Sequence, residues 1–505
     1  MVDKGEVIGF IDIGTNSVHI LVVKFFEDSM GTPIFQDKET VRLGQNLYKS
    51  GYIDRETIDK TRLVITNFVQ ISKSMGAKKV ISLATCAARE ATNKKDLMDA
   101  FKIEGTEVKI ISGLEEARLI SLGVFGPEGP TQQCLEIDIG GGSTEISLCK
   151  GKEDLYLDSL SMGAVRFAYG IGIDQKSALS FQDYDHLRRQ VDLLSYRTCR
   201  KVRDLGFERA YGSSGTLIAL AEMCAAKRDG DASYMMYYEL VELMKELYTK
   251  SEEDRKGVLG MNPSRSDIIV AGGAIAEELM YLLEIDRLEI SLNGLKQGMQ
   301  VEYLLNNGYS DFNVRESSVR NLANRCQYDK AHAETVQKNS LLLFDRMKEL
   351  GIHKMGDDKR ELLSYAALLH DIGEFISYEK HNIHSYIIIT NSFLPGFTND
   401  ELKMIGLTSR FHHKKFPDAQ SKYFVNMDYK DIKSILECSM MLKIADVLDR
   451  HRNGSIDKVE LNLSDDVLMI ELGSERDISM EIWKLNSIRE DFKGVFGLDF
   501  KIIRS

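Results

Sequence analysis

Ile11-Asp12-Ile13-Gly14-Thr15-Asn16-Ser17 returns, offset by 126 residues, as Ile137-Asp138-Ile139-Gly140-Gly141-Gly142-Ser143. Five of the seven positions are identical, and each copy closes an apolar run and precedes another: VIGFIDIG and VHILVVKF in the first, CLEIDIG and TEISLC in the second. Such a frame predicts a β-hairpin, with glycine allowing positive φ in the turn and close approach of backbone to a ligand. Two such hairpins at domain-sized separation predict a duplicated fold.

Outward from these hairpins, helices are expected near Arg55 to Met75 and Tyr184 to Leu205, and Pro127 and Pro130 in GPEGP mark a junction between the halves. After Asn306-Asn307-Gly308 the composition shifts. The chain then reads as helical to about Arg452 and carries eight of the ten histidines, His332 to His451. From Ile456 the alternating VELNL and VLMIEL, the stretch WKLNSIREDFKGVFG and the final FKII read as ββαβ. Four segments follow: 1–126, 127–308, 309–454 and 455–505.

The composition fits this division. The 505 residues give ample length for several cores, and 43% apolar with 28% charged residues exclude a disordered, collagen-like or coiled-coil architecture. Charges interrupt every apolar stretch well before a membrane span, and the start lacks a signal peptide's apolar core, so the protein is expected to be cytoplasmic, without membrane association. Seven cysteines without a CxxC pair argue against a disulfide framework or thiolate zinc site. With 65 Lys+Arg against 77 Asp+Glu the net charge is −12, so no nucleic-acid partner is expected and local donors must hold any phosphate-rich substrate.

Four small-residue turns offer such donors: Gly14-Thr15-Asn16-Ser17, Gly140-Gly141-Gly142-Ser143-Thr144, Gly212-Ser213-Ser214-Gly215-Thr216 and Ala271-Gly272-Gly273-Ala274. Asp12 and Asp138 end equivalent strands, where carboxylates hold Mg2+ or cap a turn, and Glu145 returns across the second hairpin. Gly113-Leu114-Glu115-Glu116-Ala117-Arg118 reads as a helix start. Acids there suit the helix dipole, and one could also orient an attacking water.

The segments FIDIGTNSVHILV, ATCAAREA, ISGLEEARLISLGV, EIDIGGGSTEISL, SMGAVRFA, YGSSGT and IVAGGAI, in order over residues 7 to 300, resemble the exopolyphosphatase and guanosine pentaphosphate phosphatase (Ppx/GppA) family of the actin, sugar kinase and heat-shock ATPase superfamily. The resemblance implies an α/β fold of two actin-like, ribonuclease H-like domains, and Mg-dependent release of orthophosphate from the end of inorganic polyphosphate. It implies Glu116 as general base, Asp138 and Glu145 as Mg2+ ligands, and Gly14, Thr15, Asn16, Ser17, Arg89, Gly141, Gly142, Ser143, Thr144, Arg166, Gly212, Ser213, Ser214 and Gly215 as phosphate-binding residues. It also implies a homodimer.

The histidine-rich part resembles the HD hydrolase superfamily through His332, His370-Asp371 and Asp446, with HNIHSYIIITNSFLPGF and RFHHKK also resembling the C-terminal domain of long exopolyphosphatases. An all-α HD-type domain is implied, with His384 and His412 as ligands of a second ion. Imidazole with carboxylate suits Mn, Fe, Zn or Ni. The same motifs would serve hydrolysis of guanosine pentaphosphate (pppGpp). A kinase competes from the fold alone, as does a polyphosphate or nucleotide sensor whose HD domain gives the output; the EEARLI segment and Glu116 favour a hydrolase.

Overall fold

The computed structural model describes residues 5–25, 31–307, 313–392, 394, 396–413, 416–417, 421–425, 427–452, 454–464 and 467–504. The chain divides into two compact units, Met1–Val314 and Arg315–Ser505. The expected junction at 308–309 lies outside the described residues.

In the first unit the duplication is visible in the order of strands. One sheet runs Thr32–Thr40, Ser17–Lys24, Val7–Ile13, Ala77–Ala84, Thr106–Ile110. The other repeats this third-second-first-fourth order as Glu153–Leu160, Thr144–Lys150, Cys134–Ile139, Arg209–Ser213, continues with its sixth strand, Arg287–Ile290, and has its fifth, Tyr234–Met236, at the edge. In both, the first three strands are antiparallel and the fourth lies parallel to the first. A long helix joins the third strand to the fourth each time, Arg55–Ser74 and Phe181–Leu205. The first is capped by Asp54 accepting from the Thr57 N–H at 2.8 Å, the second by a Ser180–Asp183 capping box.

The last helix of this unit, Leu295–Asn306, packs on Gly113–Phe125 and against Val7–Ile13 rather than on the second sheet. Two glycines permit the close approach. A Cβ on Gly298 would come within 1.8 Å of the Leu119 carbonyl oxygen, and one on Gly123 within 2.2 Å of the Gly294 carbonyl oxygen. Ala271 to Ala274, expected as a turn, lies inside the helix Ile269–Leu282. Its glycines serve packing: a Cβ would meet Thr216 Cγ2 at 2.4 Å from Gly272 and Met244 Sδ at 2.2 Å from Gly273.

The second unit is helical from Val314–Arg325 to Tyr429–Leu448 and ends in a three-stranded sheet ordered Lys458–Ser464, Val467–Gly473, Asp499–Arg504. Leu461, Ile470, Phe492 and Phe500 of the terminal segment share one buried cluster with Leu343, Leu363 and Met441 of the helices. The expected single helix of the ββαβ segment is two, Ser479–Ser487 and Arg489–Phe496, because Ile488 turns out of helical conformation at φ −104°, ψ 7°. All seven cysteines are buried free thiols. Among the described residues no helix is long and apolar enough to cross a membrane.

Candidate active site

The two turns of the repeat meet face to face. Each is closed by the same bond, Gly14 N–H to the Ser17 carbonyl and Gly140 N–H to the Ser143 carbonyl, both at 3.0 Å. Neither needs positive φ, contrary to the expectation from glycine. The second turn needs absent side chains: a Cβ on Gly142 would lie 2.2 Å from the Tyr48 hydroxyl and 2.7 Å from Thr15 Oγ1, and one on Gly141 3.0 Å from Thr15 Cβ.

Carbonyls of both turns are satisfied from behind. Thr15 accepts from the Gly44 N–H, Asn16 from the N–H groups of Val41 and Arg42, Gly140 from that of Ala164, and Gly141 from those of Val165 and Arg166. The N–H groups of Thr15, Asn16, Gly141 and Gly142 have no backbone acceptor among the described residues. Such a set forms an anion-binding concavity.

Beside these turns stands a group of acids. Ser112 caps the helix Gly113–Phe125 by accepting from the Glu115 N–H at 3.1 Å, which sends the two adjacent glutamates in different directions. Glu115 is held outward by Arg118 at 2.7 Å. Glu116 is buried and receives Arg89 Nη1 on Oε2 at 2.9 Å. Burial raises Glu116 to about 7, against the pull of Arg89 and with the repulsion of Asp138. Burial, Glu116 and Asp138 likewise lift Asp12 to about 7, with Lys296 opposing.

Asp138 faces Glu145 across the hairpin and rises to about 6 through burial, relieved by Ser213. Glu145 is raised by burial and by both Glu116 and Asp138, and accepts from Ser159 Oγ at 2.8 Å. Four carboxylates whose affinity for protons is raised chiefly by burial form an oxygen-only donor set suited to Mg2+, which would favour their charged forms.

The phosphate-binding residues expected from sequence divide. Arg89 is occupied by Glu116, and Arg166 pairs with Glu90 at 2.6 Å while giving Nε to the Gly142 carbonyl at 2.7 Å. Thr144 gives its hydroxyl to the Met162 carbonyl at 2.7 Å. The Cβ position of Gly212 is filled by Leu217 and Leu288. Ser213 Oγ stands 2.5 Å from Asp138 Oδ2 and 2.7 Å from Glu136 Oε1. Ser214 adopts φ +84°, the one left-handed residue of its turn, and gives Oγ to the Ile139 carbonyl.

Two cations escaped the sequence reading because neither lies in a glycine turn. Arg265 packs over the third turn, where a Cβ on Gly215 would come within 1.9 Å of Nη2. Lys296 is the second residue of the helix Leu295–Asn306. Neither makes a side-chain ion pair among the described residues, and burial lowers the affinity of both for protons. Burial, together with Lys296, Lys38 and Arg265, pushes His19 down to about 3. The first unit thus sets unpaired cations beside the acids, as a phosphate and its metal ion require.

In the second unit, Asp371 is shared between two sets of histidines. Its Oδ2 lies 3.8 Å from His332 Nε2 and 3.5 Å from His370 Nε2, and Asp446 Oδ1 adds contacts of 3.4 and 3.8 Å to the same two nitrogens. Its Oδ1 lies 3.3 Å from His381 Nε2 and 3.5 Å from His412 Nε2. Each Nδ1 has an acceptor: Asp449 for His332, and the carbonyls of Ala367, Tyr378 and Ser409 for His370, His381 and His412. Each Nε2 is thereby turned inward, the arrangement in which imidazole ligates metal.

The Nε2 atoms of His332 and His370 are buried without a hydrogen-bond partner. Burial opposes a charge on His332, but Asp446 and Asp449 outweigh it and raise the group to about 9. The place beside Asp371 expected for His384 is taken by His381, the first residue of the helix His381–Thr390. One helical turn carries His384 out of the set, and its Nδ1 is buried without a partner. His413, adjacent to His412, has a ligand atom within 4.8 Å of those of His381 and His412.

Residues 22–307 match the model of the Ppx/GppA phosphatase family and residues 314–486 that of Ppx/GppA phosphatase domain III. Among curated relatives, the guanosine-5′-triphosphate,3′-diphosphate pyrophosphatase of Aeromonas hydrophila is 28% identical over 471 residues, covering 92% of each chain. That of Aeromonas salmonicida is 30% identical over 407 residues, 78% of each. Among solved structures, an exopolyphosphatase from Cytophaga hutchinsonii matches at TM-score 0.55 and 26% identity, covering 60% of this chain and 98% of its own. The Aquifex aeolicus family member matches at TM-score 0.51 and 21% identity, covering 60% and 99%.

Proposed function

The chain belongs to the Ppx/GppA phosphatase family, and from that premise we propose that the first unit hydrolyses the terminal phosphoanhydride of inorganic polyphosphate, releasing orthophosphate. The observation that carries this reading is Glu116, buried and fixed by Arg89 beside two facing turns in which the N–H groups of Thr15, Asn16, Gly141 and Gly142 have no backbone acceptor among the described residues. The N–H groups with Arg265 and Lys296 hold the terminal phosphates. Glu116 accepts a proton from the attacking water, and Arg89 fixes its carboxylate. Asp138 and Glu145, with Asp12 close by, would hold Mg2+, which supplies charge neutralisation on the phosphoryl oxygens when bound.

A second substrate has a specific support: the curated relatives that span this chain almost end to end are named for pppGpp. Its 5′-terminal phosphoanhydride presents the same bond to the same groups. Incubating the protein with Mg2+ and, separately, long polyphosphate, short polyphosphate, pppGpp and ATP, then measuring orthophosphate, tests both readings. Release from long polyphosphate is expected; release from ATP alone would overturn the reading.

The second unit is proposed to hold a transition metal. His332, His370, Asp371 and Asp446 would bind one ion, and His381 with His412 a second through the other oxygen of Asp371. The two orphaned Nε2 atoms are the observation in favour.

A further inference from the structure

One more acid, Glu136, lies beneath the candidate site and takes no part in the hydrolysis proposed above. It stands two residues before Asp138 on the strand Cys134–Ile139, and so on the same face of the sheet. Its partner across the hairpin is Ser147, as that of Asp138 is Glu145, so Glu136 and Ser147 form a layer directly behind the pair that would hold Mg2+. That layer is closed. Both residues are wholly buried, and Ser147 gives its hydroxyl to the carbonyl of Ala117, the residue after Glu116, at 3.2 Å. Glu136 Oε1 meets Ser213 Oγ, while its Oε2 is buried without a hydrogen-bond partner. A carboxylate in such a place is costly.

Ser213 is fixed before its side chain is considered. It pairs with Asp138 across the parallel strands, and the next residue, Ser214, gives its hydroxyl to the Ile139 carbonyl at 2.8 Å. The Ser213 hydroxyl thus sits between two carboxyl groups, 2.5 Å from Asp138 Oδ2 and 2.7 Å from Glu136 Oε1. A hydroxyl has one proton to give and lone pairs to accept with. Both contacts are hydrogen bonds only if one of the two acids is itself a donor. Asp138 keeps a little exposure and is wanted as a carboxylate by a cation, whereas Glu136 has no exposure at all. The second proton therefore belongs on Glu136 Oε1: the acid donates to Ser213 Oγ, and the serine directs its own proton onto Asp138. On a neutral acid the orphaned Oε2 is a carbonyl oxygen, far cheaper to bury than half of a carboxylate.

We propose that Glu136 is a positioning residue of this site, a neutral acid that acts through Ser213 to hold the Asp138 carboxylate in the orientation a Mg2+ ion needs. Ser213 then serves the acids and not the substrate, because a hydroxyl whose proton is committed to Asp138 has none left for a phosphoryl oxygen. The role in catalysis rests on the Mg2+-dependent hydrolytic reading; the chain of hydrogen bonds does not.

Two substitutions at Glu136 separate donation from packing. Glu136→Gln keeps an N–H to give to Ser213, and Glu136→Leu fills similar space with nothing to give. With melting curves to show that each variant is folded, Glu136→Leu should raise the Mg2+ concentration for half-maximal orthophosphate release by about 10–100-fold, the usual cost of losing the group that orients a metal ligand. KM for polyphosphate should barely move, and Glu136→Gln should stay close to wild type. Ser213→Ala should show the same loss as Glu136→Leu, and the two changes combined should cost little more than either, because each breaks the same chain. Independently of turnover, the infrared spectrum of the wild type should contain a neutral carboxylic acid C=O band that Glu136→Gln removes. A wild-type Mg2+ requirement in Glu136→Leu, a Gln variant as impaired as the Leu one, fully additive losses, or no such band would each overturn the proposal. A wild type that shows the band but hydrolyses neither polyphosphate nor pppGpp would overturn the hydrolytic reading and leave the link from Glu136 to Asp138 standing.

Discussion

Glu115 and Glu116 are adjacent in sequence, and only the direction of the helix separates their chemistry. Glu115 sits outside in an ion pair with Arg118, while Glu116 points to Asp138 and is held by Arg89. Glu116→Gln should therefore cut orthophosphate release by about 10²–10⁴-fold while polyphosphate still binds, because the amide keeps the volume and cannot accept the proton. Glu115→Gln should cost little. Parallel kcat and equilibrium-binding measurements check this, and near wild-type turnover in Glu116→Gln would remove it from the base role. Arg89→Ala carries a double penalty, losing a cation near the phosphates and leaving a buried carboxylate unpaired. Both a higher KM and a lower kcat are expected, with a shallower salt dependence of KM; an unchanged KM would place the substrate path elsewhere. Which nitrogen or carboxylate faces inward was only partly legible in the sequence. The identity of Glu116 could be anticipated from its motif, but His381 and His384 lie three residues apart in one apolar segment, and only the start of their helix decides which meets Asp371.

At the scale of elements, the hairpins, the two long helices and the terminal strands were legible because each follows from period and capping alone. The return of Leu295–Asn306 to the first sheet was not, since no local pattern says which of two similar apolar layers a helix will cover. Its signal is the pairing of Gly298 with Gly123, glycines on separate helices whose purpose appears only on contact. For the same reason Ala271 to Ala274 reads locally as a turn yet packs as helix. Gly298→Ala must push the helix from the Leu119 carbonyl, and overpacking of this kind costs about 1–3 kcal/mol. Because the shift also displaces Lys296, kcat/KM should fall along with stability. Chemical denaturation with an unchanged m-value checks the first effect and substrate kinetics the second; an Ala variant as stable as wild type would show that the two helices can separate freely.

For the molecule as a whole, the decisive fact is that its two compact units carry different donor chemistry. In the first, the metal-binding candidates Asp12, Asp138 and Glu145 offer only carboxylate oxygens, which suit a weakly held Mg2+ retaining several waters. In the second, imidazole nitrogens converge on Asp371 and Asp446, a set that favours a tightly held transition metal. Protein purified without added metal should accordingly retain Mn, Fe, Zn or Ni after dialysis while needing Mg2+ restored for orthophosphate release. His370→Ala with Asp371→Ala removes a ligand from the first set and the carboxylate common to both, so elemental analysis should find the metal lost. That double variant also removes one of the carboxylates paired with Arg452, Asp371 at 2.8 Å, leaving it Glu374 at 2.7 Å, so circular dichroism and a melting curve must accompany it. His381→Ala provides a gentler second variant, expected to lower metal content without emptying the His332 and His370 set. In both variants Mg2+-dependent hydrolysis should persist at least in part, since Glu116, Asp138 and Glu145 all belong to the other unit. Wild-type protein that holds no transition metal even after supplementation would deny the histidine cluster a metal role, and its inward-turned Nε2 atoms would then need another partner.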